Sequence, residues 1–168
     1  MNRSRLLFKI TGCVLLSLAL SLEAFAGPPL ASRPFSLEDF KAQVPQDSTG
    51  SFLLEIPQIL NTAADQEVRA VVAGCSVETS GQIMSEGNFA PDGKRLRVAR
   101  SQIQCCAAHA REYSVVLAFS EKAPALQEKA WVRLRGTLFF ERQGEGFIAA
   151  ILVNEWQQTA QPQNPLLR

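Results

Sequence analysis

The sequence predicts a mainly β chain with short N-terminal helices, an α+β domain whose centre is a five-stranded, OB-like Greek-key barrel. Three observations carry that expectation. From Cys75 onward apolar residues recur with a period of two, whereas before it they recur at helical spacing. Five strand-like stretches can be counted, too few for a seven-stranded sandwich. Gly136 interrupts one of the most regular of them, as the bent strands of a small closed barrel require.

At 168 residues the chain has room for one domain, and its start is not part of it. Residues 1–26 read as a secretory signal: basic residues Arg3, Arg5 and Lys9, an apolar run from Ile10 to Leu22, then Ala24-Phe25-Ala26 ahead of Gly27. Cleavage at Ala26/Gly27 would leave the chain periplasmic or secreted. A retained anchor is disfavoured, because Ile10 to Leu22 would span only about 20 Å of a hydrocarbon core about 30 Å thick. Cys13 opens the apolar run rather than following it, which argues against lipid attachment there. Loss of Arg3, Arg5, Lys9 and Glu23 takes the 17 basic and 16 acidic residues to 14 and 15. So neutral a chain has no electrostatic case for nucleic acid.

Residues 27–34, with three prolines, read as an extended linker. Residues 35–74 follow as short helices packed on the barrel. Ser36 with Asp39 makes a capping box, and Leu37, Phe40 and Val44 share a face. From Phe52 the spacing is helical: Pro57 suits a first turn, Ile56, Ile59 and Leu60 share a side, and Asp65 caps a further stretch that buries Val68, Val71 and Val72. Gly74 is the natural stop.

Residues 75–157 hold the barrel strands. Val77, Thr79, Gly81 and Ile83 alternate with polar residues, and Asp92-Gly93 signals the turn to a second strand at Arg95–Gln104. In that strand Leu96 and Val98 lie on one side and Ile103 on the other, so a bulge is expected at Arg100–Gln102. On the unslipped phase Arg100 points inward and needs a carboxylate such as Glu78 or Glu155, or carbonyls around its guanidinium. Tyr113 to Phe119 and Trp131 to Phe140 are the next two strands. Gln143–Gly146 turns into a fifth, apolar on both faces from Ile148 to Val153. Tyr113, Phe119, Phe140 and Phe147 fall on inward phases, which removes the exposed rings that single-stranded nucleic acid would stack on. Residues 158–168 read as a flexible tail.

The chemistry concentrates at Gln102–Arg111, QIQCCAAHAR. Without the signal three cysteines remain, Cys75, Cys105 and Cys106, and an odd number in an oxidising compartment leaves one thiol free, bridged to another chain or bound to metal. Three readings stay open. Cys105, Cys106 and His109 could ligate zinc or copper, which thiolate and imidazole suit, although CC-x-x-H is not a standard zinc spacing. The neighbouring thiols could act as an exchange pair, with Arg100 lowering a thiol pKa. Or one of them bridges Cys75 and the rest are inert packing. His109 is the only histidine, and no nucleophile elbow, phosphate loop or G-x-G-x-x-G is present, so hydrolase and nucleotide-dependent activities are set aside. A non-enzymatic binding module is the expectation, with a thiol oxidoreductase as the enzyme alternative.

Three blocks carry a resemblance. Gly81-Gln82-Ile83-Met84, then Arg100 with Ile103-Gln104-Cys105-Cys106-Ala107-Ala108-His109-Ala110, then Trp131-Val132-Arg133-Leu134-Arg135-Gly136-Thr137-Leu138, resemble the C-terminal domain of the YcgQ-like family, bacterial proteins of unknown function described as two-component permease subunits. The blocks span roughly Gly74 to Trp156. Family members usually have Asp where this chain has His109, and carry transmembrane helices ahead of the domain. The resemblance implies an extracytoplasmic accessory domain with a permease-type membrane partner.

Overall fold

A computed structural model describes residues 33–87, 94–103, 109–121 and 123–167. Pro34–Arg168 is one compact unit. Its helices form where capping chemistry places them. In α1 (Leu37–Gln43) Ser36 and Asp39 cap each other reciprocally, and Phe40 is buried. Pro57 sits in the first turn of α2 (Ile56–Ala64), and Asp65 accepts from the N–H groups of Glu67 and Val68 to start α3 (Gln66–Val72). Gly74 ends the helical region at φ +83°, which costs glycine little.

Five long strands follow: β2 (Ser76–Gly87), β3 (Lys94–Ile103), β4 (Ala110–Phe119), β5 (Trp131–Gln143) and β6 (Gly146–Gln158). They close in the order β2-β3-β4-β6-β5-β2, all pairs antiparallel except β4 with β6. This is the expected five-stranded OB-like barrel. Its interior is filled by the predicted inward residues, among them Val77, Val98, Val115, Leu117, Val132, Leu134, Leu138 and Ile151. α2 closes the barrel against β4 and β6 with Ile56 and Ile59, both fully buried.

Closure depends on β2 changing partner. Ser76 to Gln82 pair with β5, whereas Gln82 to Gly87 pair with β3. Gly81 stands at the bend, where a Cβ would press on the Ala99 carbonyl and the Val98 side chain. The bend leaves two edges uncovered. β1 (Phe52–Leu53) pairs in parallel with Val77 and Glu78, and β7 (Leu166–Leu167) pairs in parallel with Ser101 and Gln102. Both correct the sequence-based expectation. Phe52-Leu53 is not helical, and part of the segment expected to fray is held, because each apolar pair fills an edge that β2 leaves open.

The expected bulge at Arg100–Gln102 is also corrected. The β3–β4 register runs unbroken from Arg97↔Val116 to Ile103↔Ala110. Ser101, Gln102 and Ile103 are all half-buried beside β7, so the strand end has no clean inner and outer face to slip between. The barrel's register shift lies in β6, where Arg135 faces Glu155 but Gly136 faces Val153, leaving Asn154 extra.

Candidate functional site

Arg100 does point inward, 7% exposed, just past the last β2–β3 pair, Gln82↔Ala99. Its guanidinium lies in the seam where β2 has left β3. Nη2 donates to the Asn164 carbonyl at 3.2 Å and Nη1 to Ser80 Oγ at 3.5 Å. The Trp131 ring centroid is 5.2 Å from its central carbon. The carboxylate it meets is neither Glu78 nor Glu155 but Glu55, the N-cap residue of α2, at 4.0 Å. Glu78 and Glu155 are taken by Arg135, at 3.0 and 3.4 Å, which also holds Asp47 at 2.7 Å. Arg133 adds a longer contact to Glu78 at 3.8 Å. Sequence reasoning missed Asp47, although Asp47-Ser48-Thr49-Gly50 is a readable Asx-turn signal.

His109 is exposed and immediately precedes β4. Cys105 and Cys106 lie outside the described residues. What is described is how the chain on either side is anchored: Ile103 and Ala110 are paired, so both cysteines and His109 belong to one short connection, residues 104–109. Arg100 lies three strand positions before Ile103, about 10 Å along β3, and its contacts run to β2, α2 and the C-terminal segment rather than to His109. The structure thus does not bring the guanidinium and the imidazole into one cluster. Among the described residues no group of three metal-ligating side chains is assembled.

Cys75 sits elsewhere. Its thiol is free and half-buried, with Sγ 3.9 Å from the Val71 carbonyl, and its backbone is tied to Leu138. Burial pushes the Cys75 thiol pKa up.

Among the described residues, recesses mark the surface at several places. One of about 210 Å³ lies by Leu53, Glu55 and Ser80, and one of about 310 Å³ by Arg135, Glu155 and Trp156, with Glu78 and Arg133 lining both. A further one, about 80 Å³, is formed over Arg100 and Trp131. Phe147, expected inward, is 42% exposed and stacks under Arg69 of α3 at 4.2 Å, because it flanks the β5–β6 turn rather than the core. Trp131 is buried, at 8% exposure. Among the described residues no helix is long and apolar enough to cross a membrane.

No curated protein matches the chain. The family model described as the DUF1980 C-terminal domain matches residues 62–167, which covers α3, every barrel strand and β7. The match agrees with the YcgQ-like resemblance and extends it at both ends. The chain belongs to the DUF1980 C-terminal domain family.

Proposed function

We propose that this chain is an exported, non-enzymatic accessory domain of the cell envelope that binds a small ligand or a soft metal ion, zinc or copper, through Cys105, Cys106 and His109. The observation that supports the reading is the sequence Cys105-Cys106-Ala107-Ala108-His109, two thiols and the only imidazole of the sequence between the paired strand residues Ile103 and Ala110. Thiolate and imidazole together suit soft and borderline metal ions. The barrel interior supports a site on a connection rather than within, since its inward positions are filled by buried side chains. The signal-like residues 1–26 support export, and the family resemblance supports a permease-type membrane partner.

Purification of the mature protein from its native envelope, without chelator, tests the proposal. Metal analysis and crosslinking should recover about one bound ion or small molecule per chain and a membrane-protein partner. Loss of the bound species in Cys105→Ser and Cys106→Ser, with the fold intact, is the expected result. A chain recovered bare and alone would count against it.

A second reading, thiol exchange, has one observation in its favour. Cys75 is a free thiol, which leaves the neighbours Cys105 and Cys106 as the pair available for oxidation. Such vicinal bridges are strained and readily reduced. A reversible mass change of two hydrogens within that peptide would favour it.

A further inference from the structure

β6 outruns its neighbour on one side. Its pairing with β4 ends at Phe119↔Val153, one position before the extra residue Asn154, while its pairing with β5 continues to Val132↔Gln158. Residues 154–158 are all exposed, Trp156 at 43%. Among the described residues no strand pairs with this part of β6 on the side that β4 has left. A bare strand edge is a template for another strand, and proteins blunt such edges with lysine or proline. Asn154-Glu155-Trp156-Gln157-Gln158 contains neither.

The phase of the β5–β6 ladder decides which backbone groups this edge offers. Thr159 N–H donates to the Trp131 carbonyl at 2.8 Å, and antiparallel bonding alternates along a strand, so Gln157 and Glu155 exchange bonds with Arg133 and Arg135. The N–H and C=O groups of Trp156 and Gln158 therefore point away from β5, along the open edge. Side chains alternate as well. Glu155 and Gln157 stand on the outer face with Arg135 and Arg133, and Glu155 meets Arg135 at 3.4 Å while 71% of its side chain stays exposed. Trp156 stands on the other face, opposite Leu134.

We infer that two copies of this chain join along this edge, antiparallel, about a two-fold axis at Trp156. That axis sets Trp156 against Trp156 of the second copy as a hydrogen-bonded pair, and Gln158 against Asn154, so the outward backbone groups meet one another. An axis at Gln157 fails, because the bonds of Gln157 are already made to Arg133. The charges fit the same register. Glu155 falls opposite Gln157 of the second copy, so the outer row reads Glu78, Arg135 and Glu155, then Gln157, Arg133 and Ser80 of the second copy. No two like charges are neighbours in that row. On the other face the two indoles form an aromatic cross-strand pair. The sheet β2-β5-β6 thus continues through the axis into the same three strands of the second copy. The shared ladder is only about 17 Å long, so the association is reversible and appears at high concentration. The inference does not depend on Cys105 or Cys106.

The experiment uses the mature chain under reductant, so that no disulfide links copies. Sedimentation velocity follows it from micromolar to millimolar concentration, and amide exchange is read residue by residue by NMR. A monomer–dimer equilibrium is expected, in which the amides of Trp156 and Gln158 exchange about tenfold or more slowly once the dimer forms. Those of Glu155 and Gln157, bonded to β5, are protected at every concentration. Gln158→Pro removes an N–H that β5 does not use, so it should abolish the dimer and leave the thermal midpoint of the dilute protein unchanged. Gln157→Glu faces Arg133 within its own chain but Glu155 in the second copy, twice by symmetry, so it should weaken the dimer about fivefold with the fold intact. A monomer at every concentration overturns the inference. So does a dimer that both substitutions leave unchanged, which uses another surface, and so do Trp156 and Gln158 amides already protected in the dilute monomer.

Discussion

Substituting Gly136 by alanine should damage the barrel more than any other single added methyl group at its glycines. Gly136 faces Val153 beside the extra residue Asn154, and β6 passes so close that a Cβ would collide with the Leu152 carbonyl oxygen and lie 2.6 Å from Ile151 Cγ2. A flexible side chain could swing away, but the carbonyl belongs to the sheet backbone. Overpacking of a core costs about 1–3 kcal/mol, and a backbone collision belongs at the upper end, near about 3 kcal/mol. That is a large share of the roughly 5–15 kcal/mol that holds a domain folded. One kcal/mol moves the midpoint by about 4–8 °C in a domain of 60–100 residues and about 2–4 °C in one of 150–250. Pro34–Arg168 lies between those sizes, so the midpoint should fall by about 12 °C in a thermal melt followed by circular dichroism. Gly50→Ala is the control. Nothing lies within 4 Å of its Cβ, and only its φ of +84° opposes the change, so it should cost about 1 kcal/mol. A Gly136→Ala melt within 2 °C of the unmodified protein, or equal to that of Gly50→Ala, would refute the bulge and the close β5–β6 approach on which the barrel rests.

Two further outcomes follow from particular side chains. Cys75, half-buried and with its thiol pKa pushed up by burial, should react with iodoacetamide at pH 8 far more slowly than a free cysteine, and the two should become equal in denaturant; fast native labelling of the Cys75 peptide would contradict its packing. The Asp47 carboxyl is held below its ordinary value of 3.8, first by the Thr49 hydroxyl, then by the N–H groups of Ser51 and Thr49 and by Arg135, against partial burial. A carboxyl lowered by folding stabilises the fold fully above the unfolded value and loses that contribution as pH falls through the folded one. Stability should therefore drop below about pH 4, and Asp47→Asn should flatten that limb of a pH titration of the midpoint. An unchanged acid limb would sever Asp47 from the network around Arg135.

Much of the fold is legible because local chemistry and tertiary packing agree. Val77, Thr79, Gly81 and Ile83 alternate in the sequence and are all buried in β2, while Ser36, Pro57 and Asp65 sit where helices begin. What is not legible depends on residues distant in the chain. Phe52-Leu53 and Leu166-Leu167 become strands only because β2 bends away from β3. The apparent slip at Ile103 suggested a bulge, whereas the cause is a change of neighbour from β2 to β7. The real bulge shows in no pattern of Arg135 or Asn154, since it depends on how β6 meets β5. The inward phase of Arg100 is read correctly from Leu96 and Val98, but its carboxylate is a helix cap far back in the chain, and its aromatic partner opens β5. The thiol cluster is legible only as composition. Its connection is bounded by Ile103 and Ala110, while Cys105 and Cys106 lie outside the described residues.

The most direct test of a ligand-binding role for residues 104–109 is native mass spectrometry of the exported protein released from its own envelope without reductant or chelator. The expected spectrum shows a mass one metal ion or one small molecule above that of the chain, and the excess disappears in Cys105→Ser. A bare chain whose Cys105 and Cys106 alkylate as two ordinary thiols would contradict the proposed site.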